Sequence, residues 1–149
     1  MFSTIAVLCA HAAMVGQMPN AVATQPAKPA AAKAEEAALD LHPIEQQILN
    51  ETNAQRARYG LRALLPDRGL FGSARRHCSW MSSANSMTHT TAPVAENIAM
   101  GQRSAKEVVN SWMNSPGHRA NMLSASYSKI GVAAYTRPNG SIYWCQQFR

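Results

Sequence analysis

The stretch Ala95–Leu123 reads AENIAMGQRSAKEVVNSWMNSPGHRANML. Ser104 and Glu107 stand at the serine-x-x-glutamate spacing of a capping box, just ahead of Val108, Val109, Trp112 and Met113. In such a box the hydroxyl accepts from a first-turn N–H and the carboxylate reaches back to the cap. The apolar residues then recur at helical spacing, so a helix is expected to follow Ser104. It must end by Ser115, because Pro116 disfavours helical geometry in the residue before it. A sharp turn at Pro116-Gly117 is expected next, with His118 on its lip. Either that turn merely exposes the histidine, or it aims His118 at a site built with residues from elsewhere.

Working outward, the segment before this stretch is helical in pattern. Pro43–Tyr59 has proline suited to a first helical position, Ile44 and Ile48 on one face, and Gly60 as a stop. Asp67 is placed to cap a second helix in which Leu70, Ala74, Cys78 and Met81 repeat. Beyond Leu123 the period changes. KIGVAAYT and SIYWCQQF read as strands joined through RPNG, where Asn139-Gly140 is a hairpin signal. PVAENIAM is a third strand or an extended lead into the helix after Ser104. Helices first and a hairpin last make the class α+β. Trp112 and Trp144 belong in the core, and Asn53 and Arg56 are suited to satisfying buried backbone.

The chain has 149 residues, enough for one ordinary domain. Hydrophobic residues make up 46% and charged residues 15%, so a core can form and general disorder is excluded. The net charge of +6 suits an anionic partner, but the arginines are scattered and no nucleic-acid motif is present. No nucleic acid is therefore expected as a partner, and a monomer is. Residues 1–23 read as an export signal: an apolar run is followed by the small residues of AVA. Residues 24–40 are rich in Ala, Pro and Lys and read as a linker, leaving 41–149 as the folded domain. The expected place is outside the cytoplasm, secreted or held in the cell envelope or periplasm. There Cys78 and Cys145 are most simply a disulfide, closing a loop of about 65 residues for about 4 kcal/mol.

Three titratable residues fall in segments flanked by turn or strand signals: His89, Glu96 and His118. Two imidazoles and a carboxylate are ordinary ligands for zinc. The same trio can move protons, with one histidine as base and Glu96 orienting it. Spacing alone does not separate these roles, and Glu96 can equally serve as an acceptor for backbone N–H groups. His77 precedes Cys78, but adjacent helical side chains diverge by about 100°, so the two do not form a nucleophilic dyad. Serine-hydrolase elbows, phosphate loops and dinucleotide fingerprints are lacking.

Three segments together resemble the CAP superfamily of cysteine-rich secretory, antigen 5 and pathogenesis-related proteins, in its bacterial branch. They are LNETNAQRARYGLRAL, AENIAMGQRSAKEVVNSWMNSPGHRANML and KIGVAAYTRPNGSIYWCQQF. The resemblance implies a three-layer α-β-α sandwich around a central antiparallel sheet. It also implies a cleft floored by two histidines and two acidic residues, holding zinc or another divalent ion in some members. His89 matches the first histidine, Glu96 the first glutamate and His118 the second histidine. The second glutamate is replaced by Ser115, so a metal would rest on His89, His118 and Glu96 and bind weakly or not at all. The family carries no single activity. A binding module for a lipid, peptide or cell-envelope component is one expectation. A metal-assisted, peptidase-like hydrolase using the same cleft is the alternative.

Overall fold

The His42 N–H donates to Glu45 Oε2 at 2.9 Å and opens the first helix, α1 (Pro43–Arg58). Its end is closed by Gly60 at φ +69°, where the Leu61 N–H reaches back to the Arg56 carbonyl. The computed structural model describes residues 39–149. The expected export signal and most of the linker lie outside the described residues. Leu39, the last apolar residue assigned to that linker side of the boundary, is already buried against the core.

After α1 come β1 (Leu65–Pro66), α2 (Arg68–Ala84), β2 (Ala95–Met100), α3 (Ala105–Met113), α4 (Pro116–Leu123), β3 (Lys129–Thr136) and β4 (Ile142–Phe148). Asp67 caps α2 by accepting from the Leu70 N–H, and Ser104 caps α3 by accepting from the Glu107 N–H. Glu107 returns its carboxylate to the Arg103 N–H, one residue before the cap. The stretch before α3 is thus a strand and not a loose lead. The sheet order is β1-β3-β4-β2, with β4 antiparallel to both neighbours. The two-residue β1 was not foreseen; it pairs in parallel with β3, so the sheet departs from purely antiparallel at this edge.

Alternation along β4 divides the core into two layers, because successive strand side chains point to opposite faces. Trp144 and Phe148 join Ile130 and Val132 against Ile48, Val108, Val109, Trp112 and Met122 of α1, α3 and α4. Tyr143 and Cys145 join Ile98 and Ala133 against Ala74, Cys78 and Met81 of α2. Helices therefore cover both faces of a central sheet, the three-layer α+β sandwich expected. Asn53 exchanges two hydrogen bonds with Leu64 backbone, and Arg56 donates to the carbonyls of Arg62, Met122 and Ser124. Both side chains do the backbone work expected of them.

The expected disulfide is not formed: Cys78 and Cys145 are free, buried thiols. They share one layer, yet each Sγ turns to a different partner. Cys78 donates to the Tyr143 carbonyl at 3.1 Å and Cys145 to Glu96 Oε2 at 3.4 Å. An even cysteine count reports on parity and not on side-chain direction. Burial pushes the Cys78 thiol up to about 12. Burial and then the Glu96 charge push Cys145 well above its ordinary range. Since the thiolate is the reactive form, iodoacetamide at pH 8 is expected to label neither residue until the protein is unfolded. Peptide mapping that finds either one alkylated in the folded protein would contradict this placement.

Candidate functional site

Strand β2 supplies the centre of the site. Glu96 is 7% exposed and sits across from Gln147 in the β2–β4 register. Its Oε1 lies 2.9 Å from His89 Nδ1 and accepts from the Thr90 N–H at 2.9 Å. Its Oε2 accepts from Gln147 Nε2 at 2.9 Å and from Cys145 Sγ. Burial works against the charge, but the Gln147, Thr90 and His89 hydrogen bonds and the nearby His77 outweigh it. The Glu96 carboxyl is therefore held below its usual range. Four partners are the full complement of a carboxylate's lone pairs. This is a fixed anion.

The loop between α2 and β2 carries His89 and is fastened at two points. Glu96 holds Thr90 and His89, while His77 Nε2 lies 2.9 Å from the Thr88 carbonyl. His77 also lies 3.6 Å from Glu96 Oε1 and stacks on Trp80 with ring centroids 5.6 Å apart. Sequence reasoning set His77 aside because of its neighbour Cys78. Its real partners lie 11 and 19 residues onward, and nothing in local spacing names them. The His89 side chain remains 59% exposed.

His118 arrives on a helix and not on the expected turn. Pro116 and Gly117 form the first turn of α4, with Ser115 as its extended N-cap. Proline's preset φ suits that opening position. Eight residues with only Met122 buried give little periodic signal, which is why the sequence reads as a turn. The Ser115 hydroxyl makes no cap bond to the helix; its Oγ lies 2.9 Å from His118 Nδ1. Burial and then the proximity of His89 lower the His118 pKa below its usual value.

A relay of amides seats α4 on the sheet. Asn97 donates to the His118 carbonyl at 3.0 Å and to Gln146 Oε1 at 3.2 Å. Asn121 donates to the Glu96 carbonyl and to Asn97 Oδ1, and Gln146 donates to Thr52 on α1. Asn97 and Gln146 are fully buried, so each of these bonds replaces water that cannot enter. The backbone positions of Glu96 and His118 are thereby fixed relative to each other. The one signal that could have found this relay is the polar interruption of two apolar strands at Asn97 and Gln146.

The donor set does not fit a three-ligand metal ion. Both Glu96 oxygens are occupied, Ser115 carries no charge, and of the three expected ligands one nitrogen each of His89 and His118 remains. Among the described residues no three His, Cys, Asp or Glu side chains are grouped to hold a metal. Ordinary zinc sites use at least three protein ligands.

With this geometry in hand, the sequence profile of the cysteine-rich secretory protein family, CAP, matches residues 49–148. The chain belongs to the CAP family. The YkwD protein of Bacillus subtilis is 37% identical over 121 residues, covering 70% of this chain and 46% of that protein. The chain spans less than half the length of the curated relatives it matches first. An extracellular SCP-domain protein of Bacillus anthracis has a similar structure, with a TM-score of 0.63 at 25% identity. That likeness covers 83% of this chain and 44% of the other. An outer surface protein of Borrelia burgdorferi shares the fold at a TM-score of 0.67 and 21% identity, covering 74% of this chain and 94% of the other. This CAP domain is thus of an extracellular-type family with bacterial members.

Proposed function

We propose that this CAP domain is a binding module, secreted or held at the cell envelope, whose cleft between His89, Glu96 and His118 takes a lipid, peptide or envelope component. The observation that carries the reading is the occupancy of Glu96. A general base needs a free lone pair within reach of the proton it takes, and a general acid needs a proton near neutral pH. Glu96 has neither, because four partners surround it and its pKa is lowered. It instead fixes the His89 ring, while Ser115 lies against the other ring, leaving the second nitrogen of each imidazole as a recognition group.

The alternative, a metal-assisted hydrolase, is tested directly by calorimetric zinc titration of the purified protein and of His118→Ala. Two imidazoles are expected to hold zinc no better than weakly, with no micromolar site in either protein. A micromolar site in the wild type that disappears in His118→Ala would overturn the binding-module reading. It would restore a metal-activated water as the working chemistry.

A further inference from the structure

The CAP domain has an open groove along α4 and the end of α3, with a volume of about 470 Å³. It is lined by Met113, Asn114, Pro116, Arg119, Ala120 and Leu123. That volume lies within the range of small-ligand sites. Four of the six residues are apolar. The two polar ones are a carboxamide and a guanidinium, which is a specific pairing.

Arg119 is not a loosely solvated charge. Its Nη2 donates to the Tyr59 hydroxyl at 3.1 Å, and its guanidinium carbon lies 5.2 Å from the centre of the Tyr59 ring. Tyr59 is itself 49% exposed at the end of α1, so it props the guanidinium at the rim without enclosing it. Only one of the guanidinium's five donors is used in this contact, leaving the fork free for a carboxylate. The charge balance of residues 39–149 favours such a guest, since the domain carries twelve Lys and Arg against six Asp and Glu.

We infer that this groove binds the C-terminal end of a peptide: Arg119 takes the free carboxylate, Asn114 pairs with a backbone amide, and Met113, Pro116, Ala120 and Leu123 hold apolar side chains. Asn114 decides against an acyl chain as the guest. A carboxamide offers one acceptor and two donors, which a peptide group matches and a run of methylenes leaves unpaired. The site is distinct from the His89–Glu96–His118 cleft and does not depend on what that cleft binds.

Calorimetry with the tetrapeptide Ac-Ala-Ala-Leu-Leu-OH tests it on the purified protein. Binding is expected, and it should weaken at least about tenfold when the peptide is C-terminally amidated or when Arg119 is changed to Gln. Asn114→Leu should weaken the peptide by a similar factor. Arg119 and Asn114 are both exposed, and circular dichroism of each variant checks that the fold is kept. No binding by the wild type would overturn the inference, as would equal affinity for the acid and amide forms. Preference for decanoate over the peptide would overturn it too, making the groove an acyl-chain site. Peptide binding lost in His89→Ala but kept in Arg119→Gln would place the peptide in the cleft, ending this inference while supporting the cleft reading.

Discussion

Gly131→Ala is expected to destabilise the domain by about 3 kcal/mol or more, at the upper end of what overpacking usually costs. A Cβ built at Gly131 falls 2.1 Å from the Leu70 carbonyl carbon, 2.3 Å from the Phe71 nitrogen and 2.5 Å from the Leu70 oxygen. These are backbone atoms of the first turn of α2, so no side-chain rotation relieves the clash. Either α2 lifts from the sheet or β3 bends away from it. Both movements open the layer formed by Ala74, Cys78, Met81, Ala133 and Cys145. Domains of this size are stable by only about 5–15 kcal/mol, so a large fraction would be lost. The melting temperature should fall by about 10 °C or more. Gly117→Ala supplies the control, since nothing lies within 4 Å of a Cβ there and the residue is helical. Alanine at that position is expected to be neutral or stabilising by up to about 1 kcal/mol. Equal melting temperatures for the two variants would mean that α2 does not press on β3 as described.

Gly131 also shows what a sequence can and cannot disclose. The KIGVAAYT strand is legible from its alternation, because burial on one face imposes a period of two. That its glycine marks a backbone-to-backbone approach depends on α2, about 60 residues away in the chain, and no local pattern carries that. The capped helices α2 and α3 were legible for the same local reason: Asp67 and Ser104 answer to N–H groups within three residues. The short α4 and the two-residue β1 were not, because each is held by partners outside itself. Asn97 and the Glu96 carbonyl secure α4 through His118 and Asn121, and Ser128 and Ile130 backbone secures β1.

The same division runs through the candidate site. His89, Glu96 and His118 were singled out by residue type and by resemblance, and the structure joins the first two directly. Cys145 and Gln147 around Glu96 were invisible, since β-sheet register and not sequence distance brings them there, and Thr90 arrives through the fold of the loop before β2. Cys145 is instructive. Its parity with Cys78 argued for a covalent bond, whereas its strand position turns the thiol toward a carboxylate.

Glu96→Ala is expected to cost about 3–5 kcal/mol, because it leaves the partners of a buried charge unpaired. Gln147 is fully buried and its Oε1 already lacks a partner. Losing the Nε2 bond to Glu96 would strand the whole carboxamide. Glu96→Gln separates charge from shape. One oxygen becomes an NH2 group facing either His89 and Thr90 or Gln147 and Cys145, and a smaller loss of about 2 kcal/mol is expected. The pH dependence distinguishes the two contributions. A carboxyl with a folded pKa below its unfolded value of about 4.3 adds stability that is present above that pH. That stability disappears as the pH falls through the folded value. His118, also lowered, adds a separate loss that begins as the pH drops below about 6.5, where the unfolded chain takes up the proton first. Urea unfolding from pH 7 to pH 3 should therefore show two successive declines in the wild type. Glu96→Gln should retain the first and show a diminished second, the remainder carried by Asp67, whose carboxyl, despite burial, is also lowered by the Leu70 N–H and Arg149. His118→Gln should lack the first and retain the second. A second decline that persists undiminished in Glu96→Gln would show that another carboxylate carries the acid sensitivity. Glu96 would then be a bystander in the fold, and the fixed anion on which the cleft reading depends would lose its energetic basis.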